Sequence, residues 1–313
     1  MSFRSILPWL QLVRLPNHFT AWADVLAGFL FVKGAYQPPA LLMALVGSSW
    51  ALYAGGMVFN DLFDLEQDAR QRPDRPLPSG KISPRAAMIF GSFLLGGGVG
   101  LAGMATFQSG DPRSVILAVA LVGCILAYDG GLKRSALGPL IMGSCRTLNL
   151  LLGMTAGKSL SGWWGFEPAG WVAAVALGVY VCGITWFARE EAGPTGRRPL
   201  LVGLRWMFGG LAMFACIDLA PPFSNGLRAM RFEHRWVWPL LIALIGFNIL
   251  RRAVMVVASE PPVRVGPAVK MMIFSIVVLD AALALAVAPV TAALGILALL
   301  IPAFLFGKLI YST

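Results

Sequence analysis

Charge is scarce in this chain. Asp, Glu, Lys and Arg together supply 13% of 313 residues, histidine occurs twice and cysteine four times. Each shortage excludes something. The cysteines, Cys124, Cys145, Cys182 and Cys216, lie inside apolar segments with no CxxC pair. That argues against a disulfide framework or thiolate metal site and for small core residues. His18 and His234 are far apart, so no His-based zinc site is expected. With no Ser-His or Cys-His pairing in view, no side-chain nucleophile is expected either. The formal charge of +10 comes without a basic face carrying base-stacking aromatics, so nucleic acid is not an expected partner. Low-complexity tracts and flexible linkers are also missing, and residues 1–313 read as a single domain.

What the chain has is apolar surface. Hydrophobic residues make up 58%, more than a soluble domain can hide, whereas a bilayer solvates it. Arg4, Pro8, Arg14 and Pro16 interrupt the first sixteen residues, so no cleavable leader is expected. Stretches approaching roughly 20 apolar residues fall at 17–33, 40–59, 86–107, 114–128, 138–156, 169–187, 202–220, 236–250, 267–286 and 290–310. The connections alternate between weakly charged ones and four charged ones, near 60–85, 129–137, 188–201 and 251–266. Six basic residues, Lys33, Arg113, Lys158, Arg228, Arg231 and Arg235, fall on the opposite side, which leaves 19 of the 25 on the charged side. By the positive-inside rule these loops face the cytoplasm of a cell (inner) membrane crossed many times. The same spacing predicts stacked helical hairpins with their functional ends on one face.

Against this background Asn60–Gly80, "NDLFDLEQDARQRPDRPLPSG", concentrates five carboxylates with Arg70, Arg72 and Arg75. On a helix Asn60, Asp64 and Asp68 share one face, and Asp61 borders it. Like charges at that spacing repel unless a cation offsets them. Either they form a solvated loop whose acids pair with the nearby arginines, or they hold a hard cation. Oxygen donors without His or Cys suit Mg²⁺, which joins one or two carboxylates to a substrate phosphate. Acids for metal and Arg/Lys for phosphate oxygens, at the end of membrane helices, describe a site for a lipid-tailed diphosphate.

The stretch "NDLFDLEQDARQRPDRPLPSGKIS" resembles the first aspartate-rich motif of the UbiA superfamily of intramembrane prenyltransferases. "LVRLPNHFTA" and "AYDGGLKRSALGPLIMGSCRTLNLLLG" extend the resemblance along most of the chain. It implies an all-α, multipass membrane bundle of about nine spans around a central lipid-accessible cavity. It also implies Mg²⁺-dependent transfer of a prenyl group from a prenyl diphosphate to a lipophilic acceptor among the membrane lipids. Asn60, Asp61, Asp64 and Asp68 would be the Mg²⁺-diphosphate ligands. Lys133 and Arg134 would bind the diphosphate or, alternatively, anchor the loop, and Tyr128 would line the cavity. Arg146 and Asn149 would face the interior, as substrate-binding groups or as a structural network, because an intramembrane Arg normally has a cavity or partner.

The chain departs from the family at the second acidic cluster. In "TWFAREEAGPTGRRP" Arg189 and Glu190 align with its opening, but the position four after Glu190 is Pro194, and Glu191 projects about 100° away. Glu190 is then the surviving ligand of a reduced cluster, with Arg189 as a further diphosphate cation. The departure resembles a divergent branch that includes EboC-type proteins. A prenyl cyclase, or a carrier for isoprenoids or metabolites, are the competing functions. Trp163, Trp164, Trp236 and Trp238 are expected as interfacial anchors.

Overall fold

The structure, a computed structural model, describes residues 3–160, 162–189, 197–223, 230–259 and 265–311. Among these residues the regular elements are helices only. A short helix α1 (Phe3–Leu12) leads through a tight turn at Leu15–Asn17 into α2 (His18–Lys33). Then follow α3 (Pro39–Phe63), α4 (Leu65–Gln71), α5 (Pro84–Ser109), α6 (Arg113–Asp129), α7 (Gly138–Met154), α8 (Pro168–Ala188), α9 (Arg197–Ala215), α10 (Val237–Ala258), α11 (Val265–Val287), α12 (Val290–Ala298) and α13 (Leu300–Tyr311).

Punctuation in the sequence explains many of the boundaries. Pro39, Pro84 and Pro168 stand at N1 of α3, α5 and α8, where a missing N–H costs nothing. Ser83 caps α5 by accepting from the Ala86 N–H at 3.2 Å. Gly34 and Gly110 end α2 and α5 at φ 71° and 70°, a region L-residues avoid.

Among the described residues, six segments are long and apolar enough to cross a membrane by length and composition: α3, α5, α8, α10, α11 and the α12–α13 stretch Val290–Leu309. The shorter α2, α6, α7 and α9 join the same two ends. Asp129 of α6 meets Asn60 at one end, for example, while Ser114 of α6 meets Thr155 beyond α7 at the other. The chain is an integral membrane helical bundle. Large apolar side chains such as Phe93, Phe107 and Phe247 point outward, as lipid-facing positions must.

Small residues let the central helices approach closely. A Cβ on Gly28 would collide with the Leu150 carbonyl, and one on Gly153 with the Val25 carbonyl, so α2 and α7 pack backbone to backbone. Opposite the charged motifs, Arg113 ties the loops together. Its guanidinium donates to the carbonyls of Gly157 (2.7 Å) and Gly165 (2.5 Å) and lies 4.5 Å over the Phe166 ring. Beside it, partial burial would raise the Asp111 carboxyl, but hydrogen bonds and the charge of Arg113 hold it below the usual range.

Three expectations need correction. Arg251 and Arg252 belong to α10, because the apolar AVMVVA that follows them continues the helix to Ala258 and shortens the charged loop. Trp238 is fully buried and donates its indole N–H to the Phe214 carbonyl at 3.1 Å, so it is a core residue, unlike the exposed Trp164 and Trp236. The Trp163 side chain lies outside the described residues. Cys182 is buried as expected, but Cys216, just past α9, is exposed.

Candidate active site

The acidic stretch does not form one unbroken helix. Helix α3 stops at Phe63, Asp64 takes a non-helical turn (φ −94°, ψ 5°), and α4 resumes at Leu65. Backbone bonds from Asp64 N–H to Asn60 (3.1 Å) and from Asp68 N–H to Asp64 (2.8 Å) keep the four-residue register across the break. The four acidic-face residues therefore stay at one end of the bundle but turn toward different partners.

Asp61 is buried and faces Arg14, whose Nη2 donates to its Oδ1 at 2.7 Å and to Asn60 Oδ1 at 3.2 Å. Asn60 spends its amide N–H on Asp129 Oδ1 at 2.7 Å. Asp68, also buried, accepts from Arg75 Nη1 at 2.5 Å, and the same nitrogen lies 3.5 Å from Asp61. Lys133 Nζ donates to Asp64 Oδ2 at 2.6 Å and lies 4.0 Å from Asp129. Arg134 is mostly exposed, donates to Gln67 Oε1 at 3.2 Å and stands 3.8 Å from Asp64 Oδ1. Acids from α3, α4 and α6 thus converge with bases from three different loops.

Local sequence explains why those bases point inward. The Pro-rich loop after α4 is pinned by buried Leu77 and Ile82, which pack with Leu12, Val13 and Val58 and so hold Arg75 over the acids. Arg14 occupies the left-handed region (φ 53°), uncommon for a residue with a Cβ. Behind it, buried His18 donates Nε2–H to the Val13 carbonyl at 2.6 Å and fixes the turn. Lys133 rides on a single turn, Leu132–Arg134; the carbonyls of Lys133 and of Ser135, just past the turn, accept from Arg189. Arg189 also stacks 4.4 Å over Trp186. Its guanidinium therefore braces the Lys133 loop, a positioning role that its spacing did not show.

Below the charged mouth lies a cavity of about 390 Å³. Asn60, Asp129, Arg14 and Tyr128 stand at its polar end, and Leu52, Ile125, Val181, Ile184 and Ile273 form apolar walls. Arg146 and Asn149 close its floor. Arg146 donates to Asp24 (2.9 Å) and Thr20 (2.8 Å), and Asn149 donates to Asp24 (2.9 Å) while accepting from Ser49 (2.7 Å). Arg146 therefore lines the cavity while donating into a buried network with Asp24 and Thr20.

The donor set suits a hard divalent cation: carboxylate and amide oxygens, with Asp64 Oδ1 buried and lacking any hydrogen bond. Protein cations neutralise these acids, and no three His, Cys, Asp or Glu among the described residues converge in metal-binding geometry. Glu190, the expected ligand from the second loop, lies outside the described residues.

Two site residues escaped the sequence reading. Arg14 sat inside the quoted "LVRLPNHFTA", where an arginine opening a span-flanking motif was the available signal. Asp129 was adjacent to Tyr128 and four residues before Lys133, a helical neighbour of the lysine.

Digeranylgeranylglyceryl phosphate synthase of Methanoculleus marisnigri is 33% identical over 133 residues, 42% of this chain and 44% of that protein. The enzyme of the same name from Methanothrix thermoacetophila is 45% identical over 96 residues, 30% of this chain and 36% of that protein. The matched stretches span less than half of each relative. Solved structures match across nearly the whole chain. A digeranylgeranylglyceryl phosphate synthase structure superposes with TM-score 0.64 at 20% identity, over 91% of this chain and 99% of the other. An Archaeoglobus fulgidus UbiA homologue bound to GPP and Mg²⁺ superposes with TM-score 0.63 at 14% identity, over 93% and 99%. None of these matches singles out an EboC-type branch. The UbiA prenyltransferase family model matches residues 21–266, which contain the acidic stretch, the Lys133 loop and the cavity walls from α2 to α8, and the chain belongs to that family.

Proposed function

We propose that this protein transfers a prenyl group from a prenyl diphosphate to a lipophilic acceptor inside the membrane, with Mg²⁺ at the diphosphate. The observation that carries this reading is the junction of a carboxylate-and-cation cluster with an apolar cavity of about 390 Å³. That junction matches a molecule charged at one end and oily at the other. Its donor would enter tail first, with the diphosphate left among Arg14, Arg75, Lys133 and Arg134.

Asn60, Asp61, Asp64 and Asp68 are the residues that would hold Mg²⁺, which when bound neutralises charge on a departing diphosphate. Lys133 and Arg14 donate hydrogen bonds to phosphate oxygens as the allylic C–O bond breaks and its electron pair leaves with the diphosphate. Arg189 keeps Lys133 in place for that task. The Tyr128 ring at the polar end of the cavity would favour positive charge on the allylic carbon, and the aliphatic walls keep water away from it. A lone pair on the acceptor forms the new bond, and the acceptor loses its proton. The relatives' shared name directs attention to a prenylglyceryl phosphate as one acceptor class.

The motif end faces the cytoplasm in this reading, supported by the basic-residue bias and by the gathering of Arg14, Arg75, Lys133 and Arg134 at that end. Glu190 in the second loop remains the proposed additional ligand. Glu190→Gln weakening Mg²⁺-dependent binding of a non-hydrolysable prenyl diphosphate analogue far more than Glu191→Gln is the expected result. Equal, near-wild-type affinities would remove that loop from the metal site.

The test of the function is incubation of purified protein with prenyl diphosphates of several lengths and a panel of acceptors that includes a prenylglyceryl phosphate. Mg²⁺-dependent diphosphate release together with an acceptor heavier by one prenyl group is expected. Release with a cyclic hydrocarbon product would indicate a cyclase, and tight binding without release would indicate a carrier.

A further inference from the structure

A second cavity of about 320 Å³ opens on the outside of the bundle between α10, α11 and α13. Its floor is apolar: the Phe274 and Phe304 rings meet at a tilt of 49° with centroids 4.7 Å apart, and Val278 lines the same trough. One end is cationic. Arg252 lines the opening from α10, and the Lys270 ammonium lies 5.9 Å from the centre of the Phe274 ring.

The two cations stand at one level. Arg252 lies six residues before the end of α10 at Ala258, and Lys270 five after the start of α11 at Val265. At about 1.5 Å per residue both sit roughly 7–9 Å below the motif end, near headgroup depth. Both are exposed, and neither has a carboxylate partner among the described residues. Helices α10 and α13 carry no Asp or Glu, and the one acid of α11, Asp280, is fully buried against Asp24. Exposed arginine in a spanning helix is costly unless water or an anion meets it. Two such cations over an apolar trough present charge complementary to a phosphate that carries a hydrocarbon tail.

We propose that this groove binds one anionic phospholipid of the motif-side leaflet. Its phosphate lies between Arg252 and Lys270, and one acyl chain lies along Phe274 and Phe304. A membrane lipid is favoured over a reacting substrate by the helix geometry. Val269, Ile273 and Ile276 of α11 face the catalytic cavity, whereas Met271, Phe274 and Val278 face the groove. Helix α11 separates the two, so a molecule in the groove cannot reach Asp64 or Lys133. The site is independent of the prenyl-transfer reading.

Native mass spectrometry of the full chain, purified with equal amounts of phosphatidylglycerol and phosphatidylcholine of the same acyl chains, tests this. One tightly retained lipid is expected, with phosphatidylglycerol preferred. Arg252→Gln should cut that preference about fivefold, the contribution of one cation near a membrane surface. Arg252→Lys should keep it, and Arg205→Gln, an exposed cation of α9 away from the groove, should leave it unchanged. Val278→Trp, which fills the trough, should lower retention of both lipids. An unaltered preference in Arg252→Gln, or no retained lipid in the wild-type protein, would overturn the proposal.

Discussion

Arg14 is the residue on which the mouth of the cavity turns. It donates to Asn60 and Asp61 from a left-handed backbone position that His18 and Val13 hold in place. Arg14→Ala leaves a buried carboxylate without its main donor and removes a diphosphate contact. Turnover is expected to fall on the order of 100-fold, the scale for losing one charge-stabilising donor, while the protein stays monodisperse in detergent. Steady-state rates at saturating Mg²⁺ measure it, and a change of less than about threefold would assign Arg14 to structure alone. Legibility was uneven at this scale. Asn60, Asp61, Asp64 and Asp68 stood out as candidates because charge is rare in an apolar chain and their spacing is helical. Arg14 and Asp129 were not singled out, because each becomes a site residue only when α2 and α6 are folded against α3. Arg189 carried the right charge, but its bonds to the carbonyls of Lys133 and Ser135 follow from tertiary packing.

The loop between α4 and α5 acts as a unit. Leu77 has no contact with substrate in this account; it buries itself beside Val58 and Leu12 and so aims Arg75 at Asp68. Leu77→Ala removes a buried aliphatic side chain, a change that costs about 2–5 kcal/mol in well-packed cores. It is expected to weaken binding of a non-hydrolysable prenyl diphosphate analogue through Arg75. The double variant Leu77→Ala/Arg75→Gln should then bind no worse than Arg75→Gln alone, since coupled sites are not additive. Additive losses would show that Leu77 supports the site by another route. Helix existence was legible from apolar length, and each of the ten candidate spans corresponds to a helix or, at 290–310, to the broken pair α12–α13. Ends were less legible. Continuation of α10 through Arg251 and Arg252 depended on apolar residues beyond the charges, and the turn at Asp64 lies where Lys133 binds Asp64 and Arg75 binds Asp68, contacts from distant or later chain.

Across the whole molecule the basic residues are unevenly distributed between the two ends. Arg14, Arg75, Lys133 and Arg189 come from segments remote in sequence yet gather at one end, while Lys33, Arg113 and Lys158 lie toward the other. Single cysteines at Ser79 and Ser259, both exposed at the motif end, should resist a membrane-impermeant thiol reagent in intact cells of a cysteine-free background. A cysteine at Gln108, exposed at the opposite end, should label. Labelling of Ser79 or Ser259 positions in intact cells would reverse the orientation. The bundle was legible from composition, since 58% hydrophobic residues left a bilayer as the only adequate solvent. The cavity was not: its walls come from α3, α6, α8 and α11 together, and no single helix shows which of its apolar faces meets lipid and which meets a substrate tail.

The most direct measurement compares wild-type protein with Asp64→Asn in the prenyl-transfer assay, product mass and released diphosphate being followed with and without Mg²⁺. Asp64 joins Lys133 at 2.6 Å and keeps one buried oxygen free of hydrogen bonds, so it stands where acid, base and metal would meet. A metal-holding role for Asp64 predicts a prenylated acceptor from the wild type only with Mg²⁺, and loss of that product in a variant that still inserts and folds. Undiminished Mg²⁺-dependent product from Asp64→Asn would contradict it.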